Sequence, residues 1–334
     1  MEDNIIMSTK VALSRNITNY PFPHKLSQLE SQVIVNKINN IILKSDNLFH
    51  ENFITYNMSE ISDIEKNTLI ERGIISNKFS KNDIGSIVIN KNKTKSIIIN
   101  DQDHIKISIY KDKFNVDEAF KVANEIDDIL ESKLDYAFDD KLGYLTSFPI
   151  NVGTGLKVSI IIHLPILSLQ KKIDTYFNIA HKLGLNIKGI CNEKSNILGN
   201  MYEISNQSTI GRTEKNIIES LKSLTQDIIT KEKASRMLIK IEASIELEDE
   251  IYRSLGILQN SRIISSLEAM KHLSNIKLGI EMDYIKDINI EKIINLMNGM
   301  KPALRLMSQM TSDSDTKRAD FLREEFTLAN KNKK

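Results

Sequence analysis

The sequence predicts an α+β protein, a sheet-bearing part followed by an all-helical part. Three observations carry this. Short runs in which apolar and polar residues alternate, the period of a half-buried strand, recur between residues 87 and 204. Beyond Arg212 strand signals vanish and apolar residues recur at helical spacing to the C-terminus. Twelve glycines, five prolines and no tryptophan suit regular elements joined by turns.

The elements follow in order. Ile87-Val88-Ile89 and Ser96-Ile97-Ile98-Ile99 flank the polar Lys91-Asn92-Lys93-Thr94, which reads as a hairpin. Ile105, Ile107 and Ile109 alternate with Lys106, Ser108 and Tyr110, a half-buried strand. Asn115 with Glu118 three residues later predicts a capping box. The helix behind it carries Phe120, Ala123, Ile126, Ile129 and Leu130 as its apolar stripe. Val158, Ile160, Ile162 and Leu164 alternate again, and Met201 to Ile204 reads as another strand. Ile217, Ile218, Leu221, Leu224, Ile228 and Ile229 then repeat at helical spacing. They predict a domain boundary near residue 228, with domains at 7–228 and 229–334. The apolar positions at Leu221, Leu224 and Ile228 exceed one amphipathic face, which predicts a buried partner surface in the helical region. The tail after Leu328 is polar and is expected to fray.

Charge and cysteine usage exclude several function classes. The 45 basic and 44 acidic residues leave a net charge of +1, which argues against a nucleic-acid protein held by a general positive field. Cys191 is the single cysteine, so no intrachain disulfide forms and a reducing compartment fits. The strongest apolar run, Ser159 to Leu169, is interrupted by His163 and Pro165 and falls short of the ~20 residues that span a bilayer. No basic segment followed by an apolar core opens the chain, so the expected location is cytoplasmic.

The chemistry is concentrated in the run Leu142-Gly143-Tyr144-Leu145-Thr146-Ser147-Phe148-Pro149-Ile150-Asn151-Val152-Gly153-Thr154-Gly155-Leu156-Lys157. It resembles the central motif of the ATP:guanidino phosphotransferases, most closely the bacterial branch that phosphorylates arginine side chains in proteins. Other blocks match in the same order: Met7 to Asn16, then Pro21-Phe22-Pro23, Ile99 to Ile107, and Leu198 to Gln207. Ile245 to Asp249 and Leu278-Gly279-Ile280 extend the match into the helical region. The resemblance implies an antiparallel sheet flanked by helices, followed by an α-helical domain that supports dimerisation. It implies Mg-ATP as the nucleotide and no metal site of the protein's own.

It also assigns positions. Ser8, Thr9, Lys10, Val11, Ala12, Lys106, Lys157, Val158, Ser159, Ile160, Ile161, Lys188, Gly189, Ile190, Cys191, Asn192 and Glu193 fall on nucleotide-binding positions. Where the family has five phosphate-gripping arginines, this chain has Lys10, Ala12, Lys106, Lys157 and Lys188. A nucleotide-lining histidine aligns with Gly73. Gln102 and Phe148 occupy the positions of a catalytic carboxylate and a catalytic cysteine, and Glu193 is the retained substrate-facing acid. Asp315 and Arg318 match a phosphoarginine pocket of the bacterial branch, and a solvated helix start explains them equally well.

Guanidinium is a poor nucleophile while protonated, so transfer needs carboxylate and thiolate near it and forked donors around the moving phosphoryl group. Lysine keeps charge without the fork. Alanine has no donor, glutamine no charge, and phenylalanine at 148 is expected to crowd the guanidinium pocket. The expectation is a catalytically impaired family member, a pseudokinase. It would act as regulator or partner in phosphoarginine-directed stress response and proteolysis. Its partners would be a second copy, an intact paralogue, or a Clp-type unfoldase, its adaptor or a stress repressor. The alternative is an active protein arginine kinase. Free arginine or creatine as substrate fits less, because Gln102 and Phe148 penalise a small guanidine equally. Cys191 reads as a small partly buried residue rather than a relocated thiol. His163 reads as structural, and His104 as orienting its neighbours.

Overall fold

The computed structural model describes residues 4–44, 53–191, 196–299 and 315–331. Its strands are β1 (Ile6–Arg15), β2 (Phe53–Asn57), β3 (Ser86–Asn90), β4 (Lys95–Ile99), β5 (Ile105–Asp112), β6 (Phe138–Asp139), β7 (Gly143–Tyr144), β8 (Leu156–His163), β9 (Leu185–Cys191) and β10 (Ile197–Asn206). Eight of them form one sheet in the order β2-β3-β4-β5-β1-β8-β10-β9. Every pairing in it is antiparallel. The helices are α1 (Gln28–Lys44), α2 (Asp63–Glu71), α3 (Val116–Glu131), α4 (Pro165–Leu169), α5 (Asp174–Lys182), α6 (Glu214–Glu242), α7 (Ser244–Asn260), α8 (Ser266–Glu281), α9 (Ile290–Gly299) and α10 (Asp315–Lys331). The antiparallel sheet flanked by helices and the helical region beyond it are both present.

Alternation decides which face of the sheet each side chain takes. Val11 and Leu13 on β1, Ile105, Ile107 and Ile109 on β5, and Val158, Ile160 and Ile162 on β8 all enter one core. Ile34 and Ile38 of α1, Ala123 and Ile126 of α3, and Ile217 to Ile229 of α6 cover them. A second core lies among α7, α8, α9 and α10, through Ile251, Leu273, Ile293, Leu322 and others. A small third cluster packs Met58, Leu69 and Phe79 on Ile87, Ile89 and Ile98, at the β3–β4 end of the opposite sheet face.

Four expectations change. Helix α6 runs unbroken through residue 228, and the core changes along it: Ile228 and Ile229 belong to the sheet core, Ile239 packs on the helical core. Leu221, Leu224 and Ile228 therefore pack inside this chain rather than on a partner. Asn115 stands at the N-cap of α3 without a side-chain capping bond. Glu118 instead pairs with Lys111 at 2.5 Å, so the capping box does not form. At the C-terminus α10 continues past Leu328 to Lys331, further than the polar tail suggests.

The sheet and the helical region meet through a buried polar network. Lys277 of α8 donates to the Asn4 carbonyl at 2.7 Å and pairs with Glu281 at 2.6 Å. Arg236 of α6 bridges Glu281 at 2.9 Å and Glu232 at 2.8 Å. Glu232 accepts from the backbone N–H of Ile166 and Leu167, at 3.2 and 2.9 Å, where α4 opens. His163, at the end of β8, meets the Ser274 hydroxyl at 2.7 Å. Burial first, then the nearby Lys277 and Arg236 charges, hold its pKa well below the usual histidine value. It is a neutral structural residue, as its place on the strand suggests.

Candidate active site

Residues paired directly across an antiparallel ladder share a face. Lys188 of β9 stands opposite Glu203 of β10, and Ser205 opposite Ser159 of β8. Ser159 in turn stands opposite Lys10 of β1, and Lys157 opposite Ala12. Lys10 faces Tyr110 of β5, Ala12 faces Ser108, and Ser14 faces Lys106. The face away from the main core therefore carries four lysines, the carboxylates of Glu203 and Asp112 and several hydroxyls. The same alternation sends Val11, Val158 and Ile160 to the main core. Thr9 is likewise turned inward, donating to the Lys113 carbonyl at 2.6 Å. Ser8 lies beside them on β1, and Ile161 and Ile190 pack against the helical core.

Three of the lysines already have partners. Lys10 Nζ donates to the Gly73 carbonyl at 2.7 Å and lies 4.7 Å from the centre of the Tyr110 ring. The Tyr110 hydroxyl donates to the same carbonyl at 2.7 Å. Gly73 follows the C-terminus of α2 with φ +69°, a capping geometry that leaves its carbonyl at the negative end of the helix. Lys157 Nζ donates to the Asn206 carbonyl. Lys188 pairs with Glu203 at 3.0 Å. The Lys106 ammonium has no hydrogen-bond or ion-pair contact among the described residues. Burial raises the pKa of the nearby Asp101 carboxyl, and the Lys106 charge acts against that burial to lower it.

Burial, reinforced by Lys106, pushes the Lys10 pKa down to about 7. Burial also lowers Lys157. Burial works against the Glu203 carboxylate. The Ser159 hydroxyl at 2.7 Å and the ammoniums of Lys188 and Lys157 more than offset it, so its pKa falls below the ordinary value. Lys10 gives a testable pH dependence. Its pKa falls from 10.5 in the unfolded chain to about 7. Between those values the unfolded chain holds a proton that the folded chain has released, so stability rises with pH in that window. Urea denaturation should show a shallower rise from pH 7 to pH 10 in Lys10→Met than in the native protein. Equal slopes would contradict the assignment.

The motif loop is fixed from beneath by Arg15, the last residue of β1. Its Nε and Nη2 donate to Asp127 Oδ2 at 3.0 and 2.6 Å, and Nη1 donates to the Thr154 and Ser14 carbonyls, each at 2.9 Å. Its guanidinium lies 3.6 Å from the centre of the Tyr144 ring, and the Tyr136 hydroxyl donates to Asp127 at 3.1 Å. The glycines of the loop are required by these approaches. A Cβ at Gly155, φ +65°, would meet the Ser14 carbonyl oxygen at 2.5 Å, and one at Gly153, φ +117°, the Thr209 carbonyl oxygen at 2.9 Å.

Ser147, the residue before Phe148, is tied to the backbone of Gln102. The Ser147 hydroxyl donates to the Gln102 carbonyl at 2.6 Å, and its N–H donates to Asp103 at 2.7 Å. Asp103 also accepts from Asn16 at 2.7 Å. His104 accepts from the Ile17 N–H at Nδ1, 3.0 Å, so Nε2 carries the proton and donates to the Pro21 carbonyl at 2.9 Å. Burial keeps this histidine neutral, in a joining role. Phe148 is 42% exposed rather than enclosed in a pocket among the described residues.

The remaining positions separate. Gly189 and Cys191 lie at the end of β9, where Ile197 packs on Gly189 and Cys191 is exposed, not partly buried as expected. Asn192 and Glu193 lie outside the described residues. Asp315 and Arg318 form an ion pair of 2.5 Å at the start of α10, and Arg318 also donates to the Ile264 carbonyl at 2.9 Å. Both contacts are internal to the helical region. Sequence reasoning missed Arg15 with Asp127, the carboxylate of Glu203, and the Glu232–Arg236–Lys277–Glu281 network. The i,i+4 spacing of Glu232 with Arg236 and of Lys277 with Glu281 was the available signal for the last. No group of three His, Cys, Asp or Glu side chains able to hold a metal ion occurs among the described residues.

Comparison with known proteins gives a consistent family. Residues 33–235 match the ATP:guanido phosphotransferase, C-terminal catalytic domain, and residues 244–334 the protein-arginine kinase McsB C-terminal domain. The chain is 36% identical to the protein-arginine kinase of Clostridium tetani, over 96% of this chain and 94% of that protein. It is 38% identical to that of Clostridium kluyveri, over 97% and 95%. For Bacillus cereus AH187 the identity is 38% over 98% and 94%. Among solved structures, lombricine kinase superposes with a TM-score of 0.60 at 23% identity, covering 70% of this chain and 68% of that one. The duplicated taurocyamine kinase of Schistosoma mansoni with bound transition state analog components gives 0.63 at 21%, covering 75% of this chain and 37% of that one. These two support the fold alone. The chain belongs to the ATP:guanido phosphotransferase family, in its protein-arginine kinase branch.

Proposed function

We propose that this chain is a pseudokinase of the protein-arginine kinase branch, keeping the scaffold while its phosphoryl transfer is impaired. One observation carries the reading: three of the four lysines on the nucleotide-facing side are engaged by the protein's own groups, Lys10 by Gly73, Lys157 by Asn206 and Lys188 by Glu203. The family uses ATP, and magnesium would arrive on the nucleotide's phosphates, with Lys106 the residue best placed to meet them. An ammonium already paired has to exchange one partner for another, and it offers no fork when it does. Mg-ATP is therefore expected to bind weakly or not at all. Isothermal titration checks this, and low-micromolar affinity would contradict it.

The relatives' names favour the second reading, an active protein-arginine kinase that transfers the ATP γ-phosphoryl group to arginine in proteins. They share 36–38% identity with this chain over nearly its full length, and nothing in the comparisons speaks for impairment. The two readings part on whether phosphoarginine is formed.

The setting fits the cytoplasm, and no helix among the described residues is long and apolar enough to cross a membrane. A regulatory role implies partners: a second copy, an intact paralogue, or the Clp-type unfoldase with its adaptor. Near the α6–α7 junction Met237, 71% exposed, and Ile241, 81% exposed, lie one helical turn apart with Ile245 close in sequence. Self-association through this surface is expected at tens of micromolar. Light scattering checks it, and a monomer at that concentration would count against a homodimer.

A further inference from the structure

We propose that Glu203 is the specificity-determining residue of the lysine-lined face, a built-in anion with which any external phosphate group competes. The inference rests on the reading above that this face is the phosphate-facing side of the site.

Glu203 lies on β10 between Lys188 of β9 and the β8–β1 part of the sheet. Its two oxygens are both in use. Oε1 accepts from the Ser159 hydroxyl at 2.7 Å, and Oε2 meets Lys188 Nζ at 3.0 Å. The side chain is 19% exposed, so water screens the pairing only partly. A hydroxyl and an ammonium converging on two oxygens is the donor set that would hold a phosphate oxygen. Here a residue of the chain takes it. The position also explains how four lysines coexist on one face. Each would repel the next, and a carboxylate among them relieves that repulsion. An incoming phosphate meets the opposite situation: a fixed negative charge beside the ammoniums it needs, one of them already paired.

Glu203→Gln is the direct test. Glutamine keeps the length and an acceptor for Ser159, and it removes the charge together with the oxygen that accepts from Lys188. The probes are inorganic pyrophosphate and Mg-ATP, titrated calorimetrically into the full chain at fixed ionic strength. Glu203→Gln should bind both at least tenfold tighter than the native protein. Glu219→Gln, which neutralises an exposed carboxylate on α6, should match the native protein. Lys188→Met supplies a second check. Alone it should lower affinity less than it does in the Glu203→Gln background, because the ammonium it removes is already paired with Glu203. In the Glu203→Gln background it should abolish most of the gain, a non-additive cycle. Equal affinity of native and Glu203→Gln proteins for both probes would overturn the proposal, as would additive effects of the two substitutions. The proposed function fails separately. Phosphoarginine formation by the native protein would overturn the pseudokinase reading, while the Glu203 comparison would still be decided by binding alone.

Discussion

Replacing Arg15 with methionine destabilises the protein by about 3–5 kcal/mol, the range for removing one partner of a buried ion pair. The guanidinium is 3% exposed and Asp127 is nearly as deeply buried. Burial raises the Asp127 pKa even with Arg15 present. Without the arginine the carboxylate loses the charge that favours ionisation and has only the Tyr136 hydroxyl left. The Thr154 and Ser14 carbonyls lose their side-chain donor as well, so the Gly153-Thr154-Gly155 turn is left with the backbone bond from the Ser14 N–H to the Gly155 carbonyl as its tie to β1. Part of the loss should return in Arg15→Met with Asp127→Leu, because an apolar pair leaves no uncompensated charge. Urea denaturation measures all three proteins. A loss below about 1 kcal/mol for Arg15→Met would show that the pair is not the anchor described.

Much of this architecture was legible beforehand, for identifiable reasons. Alternation in 105–110 and 158–164 marked strands because one face of each packs on the main core while the other carries polar residues among its side chains. The same alternation, read across the ladders, places Lys10, Lys106, Lys157 and Lys188 on one face. What escaped was pairing. Arg15 was visible as part of the opening block, but its partner lies 112 positions away on α3. Glu203 looked like the polar half of a strand, and only the register with Lys188 and Ser159 gives it a role. The surplus apolar positions on α6 suggested a partner because helical spacing cannot show whether the cover is the chain's own sheet. The capping box failed for a similar reason: Lys111, on the neighbouring strand, competes successfully for Glu118.

Restoring the family's side chains together should recover arginine phosphorylation, the largest functional change expected here. The variant carries Lys10→Arg, Ala12→Arg, Gln102→Glu, Lys106→Arg, Phe148→Cys, Lys157→Arg and Lys188→Arg. Losing one preorganised contact to the developing charge costs about 3 kcal/mol, a hundredfold or more in rate. Several such contacts are missing, and their effects need not add. Phe148→Cys alone should remain at background, because the groups act as a unit. Ala12 is the most demanding position. It is buried between Ser108 and Lys157, so an arginine there has to extend along the lysine face. If Phe148→Cys alone gave turnover, the lysines would be competent phosphate ligands and the engagement of Lys10, Lys157 and Lys188 would have no functional weight.

We propose that the unaltered chain does not complete the transfer. The direct measurement is phosphoarginine on an arginine-rich protein substrate, incubated with this protein and Mg-ATP and read by mass spectrometry under conditions that spare the acid-labile P–N bond. No phosphoarginine above a no-enzyme control is expected, with a signal from the seven-residue variant run alongside it. Clear phosphoarginine from the native protein, abolished by Glu193→Gln, would overturn the pseudokinase reading and establish an active protein-arginine kinase.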